Sequence, residues 1–247
     1  MCGIFGVAGD VDKKEVDLFF GELLDANQER GQSAYGITLA YQRGTVVKKG
    51  RGILDKNQAS IYYREVPDSW RTFLPRALLG HTRAPTEGAP IDYDNNHPFQ
   101  INSLYLAHNG ILINHKEVRQ SLLPFLRSSI VTDSYVLLGT IWKEYRAYGE
   151  IPSRLSDAIV AACETIKGSF ACWLWRNPDL YLFRCISSLY YRHDKYLPDG
   201  TSALVFSSER LPGGIELPEG IVLHFNTVWG YLERSGKFSY YSPYHLK

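Results

Sequence analysis

Four cysteines, Cys2, Cys163, Cys172 and Cys185, lie far apart with no C-x-x-C pair among them. That spacing excludes zinc-ribbon and thioredoxin-type chemistry. Cys163 falls on the apolar face of an expected helix, and Cys172 and Cys185 sit in strand-like runs, so all three read as core packing. Cys2 differs because it follows the initiator methionine. Removing Met1 would leave one residue with both a thiol and an α-amine. A free thiol with a pKa of about 8.5 is mostly protonated at neutral pH, whereas an α-amine of about 7.7–8.0 is partly available as a base. An N-terminal cysteine would therefore carry its own activating group. The other reading of Cys2 is the second residue of a buried strand.

Three further clusters could join it. Arg83, in Gly80-His81-Thr82-Arg83, follows an apolar run, where its planar fork could hold a carboxylate or simply end a turn. His108-Asn109-Gly110 closes a second apolar run. An Asn amide and a Gly N–H there could form an oxyanion hole, although Asn-Gly is also the commonest tight-turn pair. Thr132-Asp133-Ser134 opens a helix, with Asp133 either an ordinary capping residue or a partner for a substrate ammonium. Histidines 81, 97, 108 and 115 match no metal-ligand spacing, so neither a metal nor another cofactor is expected.

These residues need elements to position them. Residues 4–8 read as a buried strand. Asp12 with Glu15 forms a capping box ahead of Val16, Phe19, Phe20, Leu23 and Leu24 at helical spacing. A hairpin is expected over 34–41 and 44–48, and strands at 76–81 and 103–108 around a long loop rich in Pro, Asn and Asp. Asn114 is expected to cap a helix ending near Pro124, followed by helices over 133–148 and 154–167, the last closed by Gly168. Strands follow at 169–175, 179–186, 203–208, 221–225 and 228–233. Elements in blocks rather than strict alternation argue for an α+β fold with largely antiparallel sheets.

The chain has 247 residues, a formal charge of +1, 45% hydrophobic and 21% charged residues. That composition excludes disordered and fibrous classes, and a well-mixed near-neutral charge removes the footprint of a nucleic-acid binder. No apolar run approaches a membrane span and no signal peptide is visible, so a cytoplasmic location is expected. Without linkers or repeats, residues 1–247 read as one domain.

The order of the motifs is more specific than any one of them. Met-Cys-Gly-Ile at the start is followed by Arg30-Gly31-Gln32-Ser33-Ala34-Tyr35-Gly36, Gly80-His81-Thr82-Arg83, Asn96-His97-Pro98, His108-Asn109-Gly110-Ile111 and Thr132-Asp133-Ser134. This series resembles the class II (N-terminal nucleophile) glutamine amidotransferase domain, of the kind found in glucosamine-6-phosphate synthase and amidophosphoribosyltransferase. The resemblance implies a four-layer αββα sandwich and roles at the matching positions. Cys2 would attack the glutamine side-chain amide, Asn109 and Gly110 would hold the oxyanion, Arg83 the α-carboxylate and Asp133 the α-ammonium. Thr86 would line the pocket.

Ser33 stands where the family usually has an acidic residue, and Tyr35 where it has a small one. Ala84-Pro85-Thr86-Glu87 replaces the frequent Trp-Ala-Thr-His. These departures leave open a γ-glutamyl amide other than L-glutamine as substrate. Family members usually carry a synthase that consumes the ammonia, and the length leaves no room for one. The expected partner is a separate acceptor enzyme, with the aromatic stretch Trp229, Tyr231, Tyr240, Tyr241 and Tyr244 as one candidate surface. Two alternatives remain: a stand-alone γ-glutamyl amide hydrolase, and a non-catalytic regulatory or scaffold domain that retains Met1.

Overall fold

Asp12 and Glu15 exchange the two hydrogen bonds that the capping box predicts. The Asp12 N–H donates to the Glu15 carboxylate at 3.2 Å, and the Glu15 N–H to the Asp12 carboxylate at 3.4 Å. Helix α1 (Lys13–Leu18) then runs through a π-helical turn at Phe19–Leu23 into α2 (Leu24–Gln28). The computed structural model describes residues 2–9, 11–55, 66–67, 69–70, 73–84, 92–122, 126–195 and 202–240.

Every strand pairing is antiparallel, and the strands form two sheets. The first contains β1 (Gly3–Gly9), β2 (Ala34–Tyr41), β3 (Gly44–Arg51), β4 (Ala77–Arg83), β9 (Tyr190–Lys195), β10 (Ser202–Ser207) and β11 (Ile215–Glu216), in the order β11-β9-β10-β1-β4-β2-β3. The second contains β5 (Phe99–Ile101), β6 (Leu104–Leu112), β7 (Gly168–Arg176), β8 (Asp179–Cys185), β12 (Ile221–Asn226) and β13 (Tyr231–Lys237), in the order β13-β12-β8-β7-β6-β5. The other α-helices among the described residues are α3 (His115–Leu122), α4 (Asp133–Ala147) and α5 (Leu155–Thr165).

Alternation along the strands assigns side chains to layers. On β1, Phe5 and Val7 pack with Phe19, Leu23 and Leu24 of the α1–α2 segment, while Ile4 and Ala8 face the second sheet. On β7, Ala171, Trp173 and Trp175 fill the space between the sheets, while Phe170, Cys172 and Leu174 meet α4 and α5. The central strands of both sheets are thus buried on both faces, which explains the nearly continuous apolar runs of β1, β7 and β8. The layers follow the αββα order. Trp173 Nε1 donates to the Gly80 carbonyl at 3.1 Å, tying one sheet to the other.

Several local expectations need correction. Asn114 stands at the N-cap position of α3, its carbonyl accepting from Val118 N at 3.0 Å, but its side chain does not bond the helix start. That side chain accepts from Lys167 N at 2.8 Å and donates to Thr165 O at 2.9 Å, clamping the end of α5. Gly168 is the first residue of β7 rather than the residue that closes α5. The strand expected at 228–233 begins at Tyr231, because 227–230 form the turn after β12. Strands β5, β9 and β11 were not expected. Pro124, Tyr241 and Tyr244 lie outside the described residues.

Trp229 is 78% exposed at the tip of the β12–β13 hairpin. Asn226 is level with Asp179, Asp179 with Arg176, and the neighbouring Trp175 with Tyr105 near the start of β6. The tip therefore stands at the opposite end of the sandwich from Gly110, and from Cys2 at the head of β1.

The entry to β1 is tightly packed. A Cβ added at Gly3 would meet both Asn27 Cβ and Thr82 Oγ1 at 2.7 Å. Gly3→Ala is expected to destabilise the fold by about 1–3 kcal/mol, the usual cost of overpacking, measured by urea denaturation. Unchanged stability would mean that this seat yields freely.

Candidate active site

Cys2 sits immediately before β1, half-buried, with its Sγ donating to the Ala84 carbonyl at 3.3 Å. Its own carbonyl accepts from Arg30 Nε at 3.0 Å, and Arg30 is ion-paired with Glu209. Because β4 pairs with β1 in the register Gly3↔Thr82, the last residue of β4, Arg83, arrives beside Cys2. Arg83 is 3% exposed, and its guanidinium donates to Asn96 Oδ1. Burial pulls its pKa down, but an arginine remains charged.

Asp133 is the first residue of α4, where the helix dipole favours negative charge. Its Oδ2 accepts from Leu112 N at 3.0 Å, and its Oδ1 accepts from Ser134 N at 2.7 Å and Ser134 Oγ at 3.2 Å. His108 Nδ1 lies 2.9 Å from the same Ser134 Oγ. The carboxylate is therefore fixed from β6 as well as from its own helix.

Gly110 adopts φ +149°, a conformation that side chains disfavour, and a Cβ there would lie 2.0 Å from the Ser169 carbonyl and 2.9 Å from His108 Nε2. Cys2, Arg83, Gly110 and Asp133 line one cleft together with His97, His108 and Thr132. Asn109 is buried next to Gly110, with its Nδ2 donating to Ser208 Oγ at 3.3 Å. That hydroxyl also accepts from Ile4 N at 2.9 Å and donates to Ile4 O at 3.2 Å, linking Asn109 to the backbone of β1. Thr86 lies outside the described residues.

The motifs marked neither Arg30 nor Ser208 as a neighbour of the cleft. Arg30 stood within a quoted motif without a role. Ser208 follows β10, and nothing local in the chain marks it. The histidines are also closer together than their spacing suggests. The His81 and His97 rings touch with centroids 3.8 Å apart and planes tilted by 31°, and His97 meets the Phe99 ring edge-on at 4.7 Å. Among the described residues, no group of three or more His, Cys, Asp or Glu side chains is arranged to hold a metal ion.

Burial raises the Cys2 thiol pKa, and the nearby Arg83 charge does not overcome it. The thiol is thus protonated at neutral pH and needs a base. Burial holds His81, His97 and His108 below the ordinary histidine range, so they are neutral in the folded chain. The cleft presents a buried cation, a buried carboxylate and a thiol, which suits a zwitterionic head group with a reactive carbonyl some distance away.

The histidines set a sign for the pH dependence of stability. Their folded pKa values lie below the unfolded value of about 6.5, so the unfolded chain binds more protons as the pH falls. Stability should be full above about pH 6.5 and fall below it, by at most about 1.4 kcal/mol per pH unit for each histidine. Urea midpoints between pH 7 and 5 should show a shallower decline in His97→Gln. An unaltered slope would mean that His97 binds protons equally in the folded and unfolded chain.

No family model matches the chain. It is 32% identical over 179 residues to glutamine–fructose-6-phosphate aminotransferase of Bacillus subtilis, spanning 72% of this chain and 27% of that protein. It is 32% identical over 181 residues to amidophosphoribosyltransferase of Escherichia coli, spanning 70% of this chain and 34% of that protein. The chain thus covers about a quarter to a third of the length of these relatives. Among solved structures, glutamine phosphoribosylpyrophosphate amidotransferase from B. subtilis superposes with TM-score 0.68 at 24% identity, over 95% of this chain and 49% of that one. A predicted glutamine amidotransferase from Pseudomonas aeruginosa superposes with TM-score 0.55 at 17% identity, over 94% of each chain. Joined to the cleft at the head of β1, these likenesses place the chain in the class II, N-terminal-nucleophile family of glutamine amidotransferase domains.

Proposed function

We propose that the chain is a glutaminase, with residues 1–247 forming one domain that releases ammonia from glutamine for an acceptor enzyme. The observation that carries this reading is the gathering of buried Arg83, buried Asp133 and the Cys2 thiol in a single cleft. Opposite charges held in place recognise the α-carboxylate and α-ammonium of an amino acid, leaving its side-chain amide for the thiol.

Removal of Met1 frees the Cys2 α-amine, which takes the thiol proton as Sγ attacks the amide carbon. The Gly110 N–H and the Asn109 amide stabilise the resulting oxyanion. Asn109 reaches it by exchanging its 3.3 Å bond to Ser208 for one to the substrate. The amine passes its proton to the leaving nitrogen, ammonia departs and a γ-glutamyl thioester remains. Water then attacks the thioester, giving glutamate and restoring the thiol. Thr86 contributes to the pocket wall in this reading.

The two relatives are named for moving an amino group to a sugar phosphate or a phosphoribosyl acceptor, and this supports a synthase as the consumer of the ammonia. A free thiol nucleophile suits a reducing cytoplasm. No helix among the described residues is long and apolar enough to cross a membrane. Because the Trp229 tip stands at the other end of the sandwich, the acceptor that takes ammonia is expected at the Cys2 end.

Glutamate release from glutamine should disappear in Cys2→Ala, and persistence would refute the nucleophile. Arg83→Lys should raise KM for glutamine at least tenfold with a smaller loss in kcat, because an ammonium cannot reproduce the two-pronged contact. Intact mass should show Met1 removed in active protein, and kcat/KM should rise with pH through about 7.7–8.0, the ordinary range of an α-amine. Full activity with Met1 retained would rule out this base.

A further inference from the structure

A cavity of about 400 Å³ adjoins the segment that carries His97. Its lining combines Lys49 of β3, Arg127 before α4 and Asp94 with the apolar Val47, Phe99 and Ile130. Volumes of this order hold metabolite-sized ligands. Lys49 is half-buried, with its ammonium 5.5 Å from the centre of the Phe99 ring and donating to the Tyr93 carbonyl at 3.3 Å. Among the described residues, neither Lys49 nor Arg127 has a carboxylate within ion-pair distance. A half-buried ammonium hydrogen-bonded only to a neutral carbonyl is poorly compensated, and a second cation in the lining of the same cavity completes a receptor for a doubly charged group.

We propose that this cavity binds a small phosphate monoester, its phosphate held between Lys49 and Arg127, its apolar or planar body on Phe99 and Val47, and a hydroxyl or amine donor facing Asp94. The site is separate from the Cys2 cleft, but one stretch of chain serves both. Asn96 and His97 face Arg83 and Cys2, while Asp94, Phe99 and Gln100 face the cavity. The Phe99 ring lies between Lys49 and His97. A ligand here would press on the wall of the glutaminase cleft from behind.

Burial lowers the Lys49 pKa to about 8, against the opposing pull of the Asp94 and Asp92 carboxylates. Affinity for an anion should therefore fall as the pH rises through 8. Isothermal titration of the full chain with phenyl phosphate at pH 7 should show saturable one-to-one binding, about tenfold weaker in Lys49→Met and again weaker in Arg127→Gln. Binding should decline between pH 7 and pH 9 in the parent protein. Inorganic phosphate, which lacks the ring, and benzoate, which carries a single charge, should both bind more weakly. No saturable binding, or binding that neither substitution weakens, would overturn the site, and tighter binding of benzoate would overturn the phosphate assignment. The readout is binding, so it stands or falls independently of glutamine hydrolysis, and Cys2→Ala should bind phenyl phosphate as the parent does.

Discussion

β1 is hydrogen-bonded along both edges, to β4 on one side and β10 on the other, and the position of the thiol follows from that double pairing. The pairing with β4 brings Arg83 alongside Cys2. The pairing with β10 ends at Ser207, so the next residue, Ser208, can hold both the backbone of Ile4 and the Asn109 amide. Asp133 and Gly110 come from the facing sheet and its helix, and their distance from the thiol is set by how the two sheets stack. Ile4, Leu79, Ala107, Ala171 and Trp173 fill that interface, small residues alternating with large. An error in that packing would change the width of the cleft before it changed any residue in it.

The cleft also shows how buried charge is tolerated in this fold. Asp133 has three donors and the field of a helix start, and Arg83 has the Asn96 side-chain oxygen. The three histidines take the other course and stay neutral, and the ring nitrogens of His81 and His97 have no hydrogen-bond partner among the described residues. Unpartnered nitrogens beside the Cys2 cleft cost stability. His81 and His97 recover part of it through contact of their rings, and His97 also contacts Phe99.

Legibility in the sequence followed the range of the interaction concerned. The Asp12–Glu15 box spans three residues and was readable, as were α4 and the β2–β3 hairpin. The position of Asn114 ahead of α3 was readable too, but not the use of its side chain, because the partners Thr165 and Lys167 are more than fifty positions away. β9 was missed because Tyr-Tyr-Arg-His-Asp-Lys has no apolar alternation; it is a strand because β10 and β11 pair with it. In the candidate site, Cys2, Arg83, Gly110 and Asp133 were found through the order of their motifs, and they share a cleft. Ser208 left no trace, since a serine after a strand has many uses and only the fold shows this one.

The head of β1 is closed by a partner 204 positions later in the chain, where Ser208 meets Ile4. Contacts of such range form late, since their entropic cost comes before their reward. The stretch that carries the Cys2 thiol is therefore synthesised well before it is sheltered. Until β10 arrives the thiol stands in water without the neighbours that define its chemistry, available to oxidants. Its protection thus waits on a strand made some two hundred residues later.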